Sequence, residues 1–426
     1  MPGMERTASV KALKAVVTGI GAVSRLTGRG GGAVIGGKVA LTLDKAALVK
    51  LAAGRSLYLV SGTNGKTTTT ALLAAALGTA GPVVTNMTGA NLKPGLVSAL
   101  ARDLESPVAV LEVDEAALVQ VLADTTASVV VLLNLSRDQL DRYGEVRLAA
   151  QKWRTSLGAR PEIHVVANCD DPLVVWAARA AGSVTWVSTG QRWRIDATSC
   201  PNCGGRIVWA RGLGGVPRQR AAGAATAGDD WKCSCGLARP EPEIEGGGDD
   251  VVVGPRSFPV QLQLPGRCNA ANAAMAVAAA RMAGVDPESA LAAMVGIANV
   301  AGRYREVSLG PARARLLLAK NPAGWNEILD FLAAPPAGVV VAVNARGPDG
   351  YDTSWLWDVD FERLEGRPVI AAGERALDVA VRLRYAGVPH EVCPDPLAAA
   401  RRLPPGKVEL VANYTAFQTV LGAVGG

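Results

Sequence analysis

Apolar positions along the chain fall into two alternating patterns. From Ser56 onward, short runs rich in β-branched residues occur at Leu57 to Val60, Val108 to Val113, Val129 to Asn134 and Ile163 to Asn168, separated by alanine-rich stretches of helical length. Each run reads as a buried strand, and strand alternating with helix predicts a parallel sheet with helices on its faces. After Gly302 the pattern returns, with strands predicted at Arg315 to Ala319, Val339 to Asn344, Val369 to Ala372 and Val408 to Asn413. Between about Arg194 and Pro255 the periodicity fades into Gly, Arg, Pro and Cys, as expected of an insertion carrying its own cross-link. Residues 1–55 are basic, with glycine nearly continuous from Gly28 to Gly32, and read as a lead-in segment. No solenoid-type repeat is present.

Composition narrows the function class. A chain of 426 residues is long enough for two or three domains, and 49% hydrophobic content with 19% charged residues excludes general disorder. The net charge of +6 is too mild, and over the whole chain too evenly spread, to argue for a nucleic-acid partner. Lys14 and Arg25 bracket the most apolar N-terminal stretch, so no run reaches the roughly 18–20 residues that cross a bilayer. No cleavage site follows Ala15 to Ser24, and a cytoplasmic location is expected. Seven cysteines, an odd number, fit a reducing compartment.

Chemistry first becomes specific after the first strand. Ser61-Gly62-Thr63-Asn64-Gly65-Lys66-Thr67-Thr68 lies between a strand and a helix running from Thr69 to Leu77. In that setting backbone N–H groups converge on phosphates, Lys66 adds a point charge and Thr67 a hydroxyl for Mg²⁺. Val60 stands where the full Walker spacing wants glycine, so an ordinary glycine turn is the competing reading.

A second cluster is Cys200-Pro-Asn-Cys203 with Cys233-Ser-Cys235-Gly236, four thiols at two sharp turns, expected to hold a structural zinc ion with no open position for catalysis. The second pair is one residue shorter than ribbons usually show, and free thiols in a loop are the alternative. His164 and His390 both fall in predicted strands, and no nucleophilic triad can be assembled. Cys169, Cys268 and Cys393 read as packed thiols.

The short loop Gly-Thr-Asn-Gly-Lys-Thr resembles that of the Mur ligases. Further segments resembling that family follow in order: Asn86 to Asn91, the strand-end Glu112, Asn134 to Tyr143, Asn168 to Pro172, Gly266 to Asn272, and Gly302-Arg303. The resemblance implies an α/β fold with a Mur-ligase-type central ATP-binding domain over 56–301, a zinc-ribbon insertion at about 194–255, and a Rossmann-like α/β domain over 302–426. It also implies ATP and Mg²⁺, with Thr67 and Glu112 holding the metal. Asn168, Asp171, Asn269 and Asn272 are implied at the adenosine, Arg303 at the γ-phosphate, and Lys152 as a carbamylated metal bridge. Two departures stand out. Gln139 replaces the histidine of the family's Asp-His-Leu-Asp, and Lys320 replaces the histidine of its last-domain motif.

The closing segments resemble the MurT family of Mur-ligase-like synthetase subunits: Asn321 to Ile328, Asp349 to Glu362, Gly373 to Ala376, Arg382 to Gly387 and Asn413 to Ala416. That resemblance implies ATP-dependent amidation of the D-isoglutamate α-carboxylate of lipid II, with ammonia from a GatD-type glutamine amidotransferase, at the cytoplasmic membrane face. Asp352 is implied near the amidotransferase interface, with a turn-forming Asx residue as the alternative. A stand-alone amino-acid ligase and a non-catalytic zinc-bearing phosphate-loop module are the competing functions.

Overall fold

The computed structural model describes residues 2–26, 34–86, 89–137, 146–210, 230–298, 304–309, 312–332 and 337–424. The chain divides into two compact units, one of Met1–Leu135, Val146–Leu264 and Cys268–Ala301, the other of Ser136–Glu145, Pro265–Arg267 and Gly302–Gly426.

The first unit opens with helices α1 (Pro2–Leu26), α2 (Ile35–Leu43) and α3 (Ala47–Ala52). Then come β1 (Ser56–Ser61), α4 (Lys66–Gly78), β2 (Val83–Thr85), α5 (Lys93–Arg102), β3 (Val108–Glu112), α6 (Leu118–Asp124) and β4 (Val129–Leu132). The chain continues with α7 (Val146–Gly158), β5 (His164–Asn168), α8 (Pro172–Ala178) and β6 (Ser183–Ser188). The short β7 (Val208–Trp209) and β8 (Trp231–Lys232) pair only with each other. Last are β9 (Ile244–Glu245), β10 (Asp250–Val253), β11 (Arg256–Pro259), α9 (Arg267–Arg281) and α10 (Pro287–Met294).

Nine strands form one sheet in the order β11-β10-β9-β6-β5-β4-β1-β3-β2, parallel from β2 through β9 and antiparallel at β10 and β11. Strand side chains alternate between faces. Leu57 and Leu59 of β1 therefore join the core beneath α1, α3, α5, α7 and α8, whereas Tyr58 and Val60 join the core beneath α4, α9 and α10. Helix α9 is buried from Ala273 to Ala280 without a break, which its alanines permit.

The glycine-rich N-terminal residues do more than lead in. Leu13, Val17, Ala40 and Leu48 are buried in the same core as Leu57. A side chain at Gly37 would put its Cβ 1.8 Å from the Pro94 carbonyl oxygen, and one at Gly36 would sit 2.8 Å from that of Val17. Glycine is what lets α2 lie directly on both neighbouring helices.

In the second unit, β12 (Tyr304–Leu309) and β13 (Ala312–Leu318) form a hairpin. They are followed by α11 (Pro322–Phe331), β14 (Gly338–Ala342), β15 (Val369–Ala372), α12 (Ala376–Tyr385), β16 (His390–Val392), α13 (Pro396–Arg402), β17 (Lys407–Ala412) and α14 (Tyr414–Val424). The sheet order is β12-β13-β17-β14-β15-β16, parallel except for β12. Trp325, Phe361 and Leu383 pack on one face, Ala399, Phe417 and Val420 on the other. The helix after β17 thus lies opposite to the segments after β13 and β14, so the chain leaves β17 toward the other face from both of its neighbours.

Candidate functional site

Strand β1 delivers the glycine loop to the carboxyl edge of the first sheet, between β3 and β4. Gly65 adopts φ +85° immediately before α4, a conformation that costs other residues strain, and Gly62 adopts φ +146°. There is also no room for side chains. A Cβ on Gly62 would lie 2.9 Å from the Leu133 side chain, and one on Gly65 would lie 2.5 Å from Asn272 Oδ1. Asn134, just past β4, clamps the loop: its Oδ1 accepts from the Asn64 amide at 2.9 Å, its Nδ2 donates to Asn64 O at 3.1 Å, and its own carbonyl accepts from the Thr63 amide. The α4 amides are thereby aimed outward at the helix N-terminus, where anions bind.

Lys66 is buried and folded back on this loop. Its ammonium donates to Gly62 O, to Thr63 O at 3.1 Å, and to Glu115 Oε2 at 2.9 Å. Trp153 of α7 donates its indole N–H to Glu115 O at 2.9 Å, fixing the acid's backbone. Next to it, burial and the like charge of Glu115 hold Asp114 above the usual carboxylate range. Glu115 is a neighbour of the loop lysine that the sequence reading passed over, although it stands three positions after Glu112.

Glu112 pairs with Val60 across β1 and β3, which sets it beside the loop. It is 1% exposed. Its Oε1 accepts from Asn91 Nδ2 at 3.0 Å, and its backbone is bracketed by Asn86 on both sides. Its Oε2 is buried and has no hydrogen-bond partner among the described residues. An orphaned buried carboxylate oxygen suits a hard divalent cation, and the hydroxyl at the Thr67 position is the usual metal ligand of such loops.

The other expected nucleotide contacts divide. Asn269 and Asn272 share a face of α9, 3.4 Å apart through Nδ2 and Oδ1, with Asn272 against Gly65. Asn168 and Asp171 are engaged in the wall itself. Asn168 bonds Leu133 O, Gln191, Thr189 and the Asp170 amide. Asp171 caps α8 through the Leu173 and Val174 amides and tethers the Leu135 amide at 2.8 Å. Burial pushes its carboxyl up to about 6. Lys152 is exposed on α7 and makes no hydrogen bond or ion pair among the described residues, and the inward position of that turn belongs to Trp153. Arg303, Gln139 and the rest of the Asp138–Asp141 segment lie outside the described residues.

Cys200, Cys203, Cys233 and Cys235 converge so that their sulfurs all lie within 4.8 Å of one another. The Cys200–Cys235 and Cys203–Cys233 sulfurs are 3.6 and 3.5 Å apart, well beyond a disulfide bond. Tetrahedral zinc with Zn–S of about 2.3 Å sets sulfurs roughly 3.8 Å apart, so the cluster fits that ion. Burial raises Cys200 to about 12, whereas the Leu237 amide and Asn202 draw exposed Cys235 down to about 6. A buried ion pair binds the ribbon to the sheet: Arg239 Nε donates to Asp170 at 2.9 Å, and Asp170 also accepts from the Thr189 and Gly190 amides.

In the second unit, Asp352 is exposed and accepts from the amide and hydroxyl of Ser354 at 2.8 and 2.9 Å, an Asx turn opening the 3₁₀ segment Ser354–Asp358. The loop that presents it is pinned by Asp349, whose carboxylate accepts from the amide and hydroxyl of Thr415. Around that loop Tyr351, Trp357, Leu377, Val381 and Tyr385 are all at least half exposed, and Trp357 meets Tyr385 edge-on at 5.3 Å. Three of these stand at i, i+4 and i+8 on α12, an apolar stripe facing outward.

Comparison with known proteins places this architecture. Residues 60–198 match the Mur ligase middle domain and residues 318–417 the MurT ligase C-terminal family. The chain resembles solved structures of a pseudomurein peptide ligase type C from Methanothermus fervidus (TM-score 0.66, 18% identity, covering 89% of this chain and 80% of that one) and of MurF from Acinetobacter baumannii (TM-score 0.63, 18% identity, 91% and 80%). These establish the Mur ligase fold. It is 28% identical to the MurT subunit of Staphylococcus aureus lipid II isoglutaminyl synthase, over 83% of this chain and 82% of that protein. With the MurT subunit of the glutamine-hydrolysing enzyme of Streptococcus pneumoniae, identity is 30% over 85% of this chain and 84% of its length. A phosphate loop, a cysteine ribbon and a MurT-type closing block in one chain, alike across that span, show that the protein belongs to the MurT family of lipid II isoglutaminyl synthase subunits.

Proposed function

We propose that this chain is the ATP-using half of a glutamine-dependent amidating enzyme in peptidoglycan synthesis, acting at the cytoplasmic face of the membrane. Its substrate is the α-carboxylate of the D-isoglutamyl residue in the lipid II stem peptide. A carboxylate oxygen attacks the γ-phosphorus of ATP and the bond to ADP breaks. Ammonia then attacks the acyl carbon, phosphate departs, and the nitrogen loses a proton, leaving D-isoglutamine.

Such transfers ask little covalent chemistry of the protein; position and charge carry the rate. The loop amides of Asn64 to Thr68 cradle the phosphates, and Lys66, once released from Glu115, supplies the charge at the transferring group. Thr67 and the unpartnered Glu112 oxygen would hold Mg²⁺, which when bound neutralises phosphate charge. Asn269 and Asn272 border the nucleoside. The four cysteines would hold zinc as a structural staple.

Ammonia comes from a GatD-type partner. His164 is occupied by Thr185 and Ser183, and Cys169 is buried and held far above the usual thiol range, so neither serves glutamine hydrolysis. The apolar stripe of α12 supports a docking partner beside Asp352, which would orient that partner's histidine or the incoming ammonia.

The observation that carries the reading is the union of a Mur-type phosphate loop with the MurT-type closing block. The test incubates the chain with lipid II, ATP and ammonium, with and without a GatD-type partner, and weighs the product. Exchange of OH for NH₂ is expected; gain of a whole amino-acid residue would make the chain a stand-alone ligase, and ATP binding without turnover a binding module.

A further inference from the structure

The mild chain-wide charge conceals a sharp asymmetry, contrary to the even spread expected above. Residues 1–55 hold nine of the 44 Lys and Arg but only two of the 38 Asp and Glu, a net +7; the remainder carries 35 cations and 36 anions, net −1. The whole positive excess therefore lies in residues 1–55, the segment that contains α1–α3.

Its outer surface is amphipathic in a particular way. On α2 the buried Gly36, Gly37 and Ala40 face inward, and Ile35, Lys38 and Thr42 stand outward at i, i+3 and i+7, with Leu43 68% exposed at the end. Lys45 is exposed in the turn before α3, Val49 is exposed in the middle of α3, and Lys11 is exposed on α1. Among the described residues Lys11, Lys38 and Lys45 make no ion pair; Lys50, by contrast, is bound to Asp44. Aliphatic side chains interleaved with unpaired lysines match a surface of anionic headgroups over acyl chains. Residues 1–55 contain no Phe, Tyr, Trp or His, so nothing there offers bases a stacking platform. Among the described residues no helix is long and apolar enough to cross a membrane.

We propose that the α1–α3 layer is a reversible docking face for an anionic phospholipid bilayer, which concentrates the enzyme where its lipid-linked substrate lies. The docking rests on the lipid-bound substrate proposed above. Each lysine near such a surface strengthens partitioning severalfold, and a face of three to five of them binds measurably but lets go in salt.

The experiment sediments the full chain, with its partner, together with phosphatidylcholine vesicles with and without phosphatidylglycerol, at low and high salt. Binding only to the anionic vesicles, lost in high salt, is expected. Combining Lys11→Glu, Lys38→Glu and Lys45→Glu should weaken it by about a hundredfold, while ammonium-driven amidation of a water-soluble short-chain substrate stays unchanged. That amidation shows the variant is folded and judges the catalytic reading separately. No preference for anionic vesicles, full binding by the triple variant, or tighter retention of this face by RNA than by vesicles would overturn the proposal.

Discussion

Lys66 illustrates how one side chain can be both restrained and ready. Its ammonium lies against two carbonyls and Glu115. Lys66→Ala should lower amidation by about a thousandfold, from free ammonium as well as from glutamine, since it removes charge stabilisation from the shared phosphoryl step. Survival of the ammonium reaction would take the loop out of the mechanism. Asp352 is expected to separate the two reactions. Asparagine can keep the Asx turn by accepting from the Ser354 amide, so Asp352→Asn should depress glutamine-driven turnover far more than ammonium-driven turnover. Equal losses would assign it to the synthetase step. Lys66, Thr67 and the four cysteines were legible in the sequence because their chemistry depends on spacing along the chain. Glu115 was not, since its meaning lies in a contact across 49 positions. The exposure of Lys152 was not legible either, because a helix turns about 100° per residue and one position separates it from buried Trp153.

At the scale of elements, packing and caps decide more than periodicity. Gly37→Ala should cost about 1–3 kcal/mol in urea denaturation, because a backbone oxygen 1.8 Å from the new methyl cannot yield without moving α5. Gly19→Ala in α1, with nothing within 4 Å, should instead stabilise by about 0.5–1 kcal/mol. Similar effects at both sites would contradict the close approach of α2 and α5. The cap of α8 gives a pH signature. Asp171 has its carboxyl raised from 3.8 to about 6, so its contribution is fully present below about pH 4 and lost as pH rises through 6. The stability of wild type minus that of Asp171→Asn should fall by up to about 3 kcal/mol between pH 4 and 7; a flat difference would refute the shift. The central strands were legible as apolar runs. Strands β9 to β11 were hidden because two to four residues carry no period, and the packing of α2 because its buried face is Gly36, Gly37 and Ala40 rather than large apolar side chains.

For the molecule as a whole, the ribbon is continuous with the main core, since Trp209, Trp231, Cys200 and Cys233 belong to the same buried cluster as Trp153 and Leu57. Native mass spectrometry should find one zinc per chain, absent from Cys203→Ser and removed by chelator, with a clear fall in melting temperature in both cases. Binding should weaken as pH falls, because each thiol must shed its proton to ligate. An unchanged melting temperature after chelation would leave the ribbon ornamental.

The position of that ribbon carries a consequence for biogenesis. Strand β9 takes its place beside β6 only after the chain has made a detour of more than fifty residues, and the four thiols gather across the middle of that detour. Joining Cys200 to Cys235 through an ion shortens the span that must find its ends before the sheet can finish. A nascent chain made during zinc famine would leave β6 as a bare edge, open to any extended peptide nearby. Metal supply would then govern how much of this enzyme a cell keeps in solution, long before it touched the rate at which each copy works.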